Sequence, residues 1–101
     1  MEVFSLDTEE LSVQRDVLIN ILTSELPVLR AKMGISQEDI SKRVGISRQT
    51  YSLIESKKQK MTWVTFMALL AFFENNEGTK QLLTAIGFFK NSAFSECLKY
   101  K

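Results

Sequence analysis

Histidine is absent from this chain of 101 residues, cysteine occurs once, as Cys97, and proline once, as Pro27. Without imidazole or a second thiol there is neither a disulfide framework nor the ligand set of a conventional zinc site. Any acid–base chemistry would rest on carboxylates alone, and none of these is expected to cluster in a cleft. The chain is therefore expected to be no enzyme and to need no metal or cofactor. Long apolar runs are missing too. The longest, Trp63 to Phe73 broken only by Thr65, falls well short of the ~20 residues of a membrane span. No charged-then-apolar leader opens the sequence, so the expectation is a soluble, unprocessed protein of a reducing cytoplasm. The length suits one domain with a modest core and leaves no room for a separate sensor domain.

Net charge is likewise nearly absent, at +1, yet it is unevenly spread: residues 1 to 25 carry −5, residues 26 to 60 carry +5 and the remainder +1. A local basic patch, not the total, governs attraction to phosphates. The middle of the chain is where such a patch lies.

That middle contains Ser36 to Lys58, SQEDISKRVGISRQTYSLIESKK. Ser36 and Ser47 are helix-capping residues with Asp39 and Thr50 three places on, and Gly45 between them supplies a turn of positive φ. Ile40 and Val44 share a stripe of the first helix, Tyr51 and Ile54 one of the second. The pattern predicts helix, sharp turn, helix, with packed inner faces and polar outer ones.

Taken in order, Leu29-Arg30, Gly34-Ile35-Ser36-Gln37-Glu38, Val44-Gly45-Ile46-Ser47-Arg48-Gln49-Thr50 and Ile54-Glu55 resemble the phage repressor and Cro (Xre-type) helix-turn-helix family. The resemblance covers roughly residues 26 to 73 and neither end. It implies an all-α, lambda-repressor-like fold of about five to six short helices that binds double-stranded DNA as a bacterial or phage transcription regulator. It also implies that Arg30 pairs with Glu55 to tie the first family helix to the recognition helix. Gln37 stands where relatives lay a glutamine against the DNA backbone.

On the recognition helix, residues 47 to 56, Arg48, Gln49, Ser52 and Leu53 fall on the face opposite Tyr51 and Ile54. Arg48 can meet the paired acceptors of guanine and Gln49 the acceptor–donor pair of adenine. Leu53 either touches a thymine methyl or packs against the loop beyond. Tyr51, where relatives carry isoleucine or valine, reads as a core residue with its hydroxyl reaching the surface, in preference to a base-stacking role. Gln37, Ser47, Lys57, Lys58 and Lys60 are the candidate phosphate contacts, although the lysines also suit a solvated turn. Lys42 and Arg43 lie four residues after Glu38 and Asp39 and read as solvated helix partners. Two positions depart from the family: Lys57 replaces a usual glycine and Met61 a frequent proline.

The expected division is an N-terminal tail and acidic helix over 1–23, the DNA-binding domain over 24–87, and an apolar segment over 88–101. Residues 1 to 6 read as a tail or arm, with a helix capped by Asp7 over about 8 to 22. Thr23-Ser24 is expected to end that helix and to cap the next, with Pro27 in its first turn. The fourth helix, Trp63 to about Asn75, is apolar on every side and so expected to be buried on every side. A fifth begins at Gly78 or Thr79, and a short amphipathic segment with Phe94, Cys97 and Leu98 on one side starts at Ser92. Cys97 reads as buried filling. Residues 82 to 98 are expected to form a homodimer contact, or else to close the monomer core. The functional expectation is a repressor acting as a homodimer on a near-palindromic operator. The alternative is an antitoxin or protein-binding adaptor on the same fold, with a cognate protein partner such as a toxin.

Overall fold

Four leucines at helical spacing, Leu18, Leu22, Leu26 and Leu29, are fully buried along one side of α1 (Thr8–Met33), the helix on which the rest of the chain is built. The computed structural model describes residues 8–98. The arm expected over residues 1 to 6 and the cap at Asp7 lie outside these.

The expected break at Thr23-Ser24 does not occur: α1 runs unbroken through both residues and through Pro27. The reason is a comparison of magnitudes. An interior proline costs about 3 kcal/mol, whereas each buried leucine contributes roughly 1.5–3 kcal/mol, and four of them belong to one continuous core. The Thr23 hydroxyl also donates back to the Ile19 carbonyl at 2.7 Å, satisfying itself within the helix instead of ending it. The boundary expected between residues 23 and 24 thus falls inside a single helix, and Ser24 caps nothing.

Two short helices follow. α2 (Gln37–Val44) starts at Ser36, whose hydroxyl accepts the Asp39 N–H at 3.0 Å, and ends at Gly45, with φ of 81°. α3 (Arg48–Glu55) starts at Ser47, which accepts the Thr50 N–H at 3.0 Å. Ile40, Tyr51 and Ile54 face inward and are buried with the α1 leucines.

α4 (Trp63–Glu74), capped by Thr62, is not buried on every side. Thr65, Phe66, Leu69, Leu70 and Phe73 are buried, but Val64 is 78% exposed and Met67 41%. Helices α1 and α2 and the next helix pack on α4, and no element among the described residues covers its remaining side. α5 (Glu77–Ala85) begins a residue or two earlier than expected, because Asn76 is the cap and accepts the Thr79 N–H at 3.0 Å. Thr79 plays a different part, in that its buried hydroxyl donates to the Phe73 carbonyl at 2.6 Å and so clamps the α4–α5 corner.

Past Gly87 a 3-10 turn (Phe88–Lys90) leads into α6 (Ser92–Leu98), which packs on α1. Leu83, Phe88 and Ala93 are buried in the protomer's own core. Phe88, Phe89 and Phe94 meet edge to face at 5.4–5.8 Å. The segment weighed as a dimer contact thus closes the core of its own chain with its largest side chains. Cys97 is half-buried against that core.

Candidate nucleic-acid interface

The turn after α3 explains how the outer face of that helix is held. Lys57 adopts a left-handed φ of 67°, the one non-glycine residue to do so among the described residues. Its N–H donates to the Ile54 carbonyl at 3.0 Å, and the Lys58 N–H reaches back to Leu53 at 2.9 Å. This pairing is the Schellman ending, which satisfies the last carbonyls of a helix by reversing the chain. The Leu53 carbonyl accepts further from the Gln59 N–H at 3.2 Å and the Ser56 hydroxyl at 3.1 Å. Leu53 is thereby pinned through its backbone while its side chain stays 40% exposed.

Around this turn the structure gathers one polar face. Arg48 and Gln49 are exposed at the start of α3 beside the exposed cap Ser47, and Ser52 is half-buried one turn on. Lys57, Lys58 and Lys60 are exposed in the following loop. Arg48, Lys57 and Lys58 have no carboxylate within salt-bridge distance among the described residues, so their charge is available to a ligand. Lys60 differs, since its ammonium sits on the Asp16 carboxylate at 2.5 Å. Asp16 comes from the acidic half of α1, and its proximity had no signal in the sequence because it depends on α1 running straight past residue 23. Between that helix and the lysine loop lies a cleft of about 330 Å³, lined among others by Asn20, Thr23, Lys57 and Lys60. On α2, Lys42 meets Glu38 at 3.6 Å, with both side chains well exposed.

Behind the face is a partly buried network. Arg30 donates from Nε to Glu55 Oε1 and from Nη2 to Oε2, both at 3.3 Å, and from Nη1 to the Ile35 carbonyl at 3.1 Å. Gln37 donates from Nε2 to Glu55 Oε1 at 2.7 Å. Three elements are joined at one carboxylate, whose side chain is only 7% exposed. Gln37 therefore does not simply hang free at the N-terminus of α2. Tyr51 lies fully buried beside this network. Burial pushes its phenol well above the ordinary range, with the Glu55 charge adding to the rise and Arg30 opposing it. The hydroxyl does not reach the surface as expected, and it meets hydrogen-bond geometry with no group among the described residues.

The arrangement suits electrostatic and hydrogen-bonded recognition of a polyanion, with exposed cations at the start of α3 and in the loop after it. Among the described residues no three His, Cys, Asp or Glu side chains come together to hold a metal, and no helix is long and apolar enough to cross a membrane.

Comparison with known proteins finds a match to the helix-turn-helix family model over residues 29–76, from the last turn of α1 to the cap of α5. No curated protein and no solved structure matches the chain.

Proposed function

Residues 29–76 make this chain a member of the Xre-type, phage-repressor-like helix-turn-helix family of DNA-binding transcription regulators, and from that premise we propose that it is a sequence-specific repressor. In this reading two copies act as a homodimer in the cytoplasm and set their α3 helices in successive major grooves, about one helical turn apart, on a near-palindromic operator. One observation carries it: α3 turns Tyr51 and Ile54 into the core while Arg48, Gln49 and Leu53 stand exposed on it, followed by the exposed, unpaired Lys57 and Lys58. Arg48, Gln49, Ser52 and Leu53 read bases. Ser47, Lys57 and Lys58 hold phosphates, Gln37 does so by turning from Glu55, and Lys60 by leaving Asp16. Arg30 with Glu55 anchors α3 behind the face.

Selection of bound sequences from a random duplex pool tests binding, half-site symmetry and spacing together. Wild type should enrich a motif with two related half-sites. The double variant Arg48→Ala, Gln49→Ala should lose preference for it at ~0.15 M salt while weak non-specific binding persists. Equal shifts of the selected duplex by both proteins would remove α3 as the reader.

A second reading, an antitoxin or protein-binding adaptor on this fold, draws on Val13 and Val17, exposed on the acidic half of α1 near Glu9 and Glu10. Co-purification of a stoichiometric protein partner together with failure to bind any duplex would favour it.

A further inference from the structure

Tyr51 carries a hydroxyl that the DNA-binding reading does not use. Its side chain is fully buried, and a phenylalanine would occupy the same space without burying an unpartnered polar atom. Tyr51 and Glu55 stand four residues apart on α3, so their side chains are neighbours on one helix face. The phenol is close enough to Glu55 and Arg30 for both to act on its proton, but its oxygen meets hydrogen-bond geometry with neither.

Glu55 already receives Arg30 and, at 2.7 Å, its shortest partner, Gln37. Gln37 is half-buried at the start of α2. When its amide turns outward to a phosphate, a carboxylate that is 7% exposed loses a donor and cannot replace it from solvent. An under-satisfied buried carboxylate opposes the motion. A phenolic hydrogen, in contrast, can rotate to whichever acceptor is open.

We propose that Tyr51 is a positioning residue whose hydroxyl is the reserve donor to Glu55, taking the place of Gln37 when Gln37 leaves to hold a DNA phosphate. The exchange keeps the carboxylate satisfied and α3 anchored to Arg30 in both states, and it moves no proton between residues. It rests on the reading of this face as a DNA-binding surface.

The test uses the full chain, the duplex selected from the random pool, and the variants Tyr51→Phe, Gln37→Ala and the pair. Free Tyr51→Phe should be at least as stable as wild type in urea, because it removes an unpartnered buried group. Its affinity for the duplex should nonetheless fall about five- to tenfold. In the Gln37→Ala background the hydroxyl already serves Glu55, so there Tyr51→Phe should lower stability and leave affinity within about twofold. The Cζ resonance of Tyr51 should shift on adding duplex to wild type but not to Gln37→Ala. Wild-type affinity in Tyr51→Phe overturns the exchange while leaving the DNA-binding reading intact. So does an equal loss of affinity in both backgrounds. Failure of wild type to bind any selected duplex overturns the DNA-binding reading, and the exchange with it.

Discussion

Lys57 carries two properties on one residue, a strained backbone and a charge, and replacing it by glycine separates them. Its φ of 67° is imposed by the turn that returns the Lys58 N–H to Leu53 at 2.9 Å. A left-handed conformation costs a side-chain-bearing residue about 1–2 kcal/mol, since Cβ crowds the following carbonyl. Glycine removes that cost but loses roughly 0.5–1 kcal/mol through its freer unfolded chain. The balance for Lys57→Gly runs from about zero to a gain of about 1.5 kcal/mol and centres near 0.75 kcal/mol, which raises the melting temperature by roughly 3–6 °C for a chain of this size. Lys57→Ala is the control. It loses the same charge and keeps the strain, so its melting temperature should stay at or below that of wild type. Under the proposed function both variants lose one phosphate contact, lowering the slope of log affinity against log salt by about 0.9. Thermal melting followed by circular dichroism and a salt titration of duplex binding read the two effects independently. Equal melting temperatures for the glycine and alanine variants would refute the strain, and an unchanged salt slope would refute the phosphate contact.

Other perturbations address the network and the acidic helix. Arg30→Ala should cost on the order of 3–5 kcal/mol in urea unfolding, because Glu55, only 7% exposed, is left without its cation. Replacing both members by apolar residues should recover much of that loss. Asp16→Asn should change stability by less than about 1 kcal/mol, since the pair with Lys60 is largely exposed, but should tighten duplex binding by up to about fivefold, as Lys60 no longer has to leave a carboxylate to reach a phosphate. At high pH the sign follows from Tyr51, whose phenol titrates in the unfolded chain at the ordinary value of 10.0 and higher when folded. Its contribution is fully present below about pH 10 and is lost as pH rises towards the folded value, by up to about 1.4 kcal/mol per pH unit. Stability measured against pH for wild type and Tyr51→Phe should therefore diverge above pH 10 and run parallel below it.

The parts of the fold legible in the sequence were those decided over four or five residues. Ser36, Ser47 and Thr62 cap because a hydroxyl reaches a backbone N–H three places on, whatever the rest of the chain does. The division of α3 into a buried and an exposed side likewise needs only the helical period. What escaped was decided over longer distances. Thr23, Ser24 and Pro27 all signal a helix boundary locally, and the leucine stripe overrules them. Composition put α4 wholly inside, whereas Val64 and Met67 are exposed because the neighbouring helices cover only part of its circumference. Within the candidate site, the approach of Gln37 to Glu55 and of Asp16 to Lys60 had no local signature at all. A glutamine or a lysine on a polar face looks the same whether it is free or already engaged.

The continuity of α1 has a consequence for what counts as a module. Because Leu18, Ile19 and Leu22 belong to the same buried core as Leu26 and Leu29, the acidic segment is not an appendage to a separately folding domain. Trimming the chain back to residue 24, where the DNA-binding unit was expected to begin, would withdraw three buried side chains, roughly 5–9 kcal/mol of burial. That rivals the whole stability of a domain this size, about 5–15 kcal/mol. The N-terminal half is also mechanically joined to Arg30, since both lie on one rod about 39 Å long. Anything that grips or displaces the acidic end therefore pulls on the residue that anchors α3, and evolution could attach control there without building a second domain.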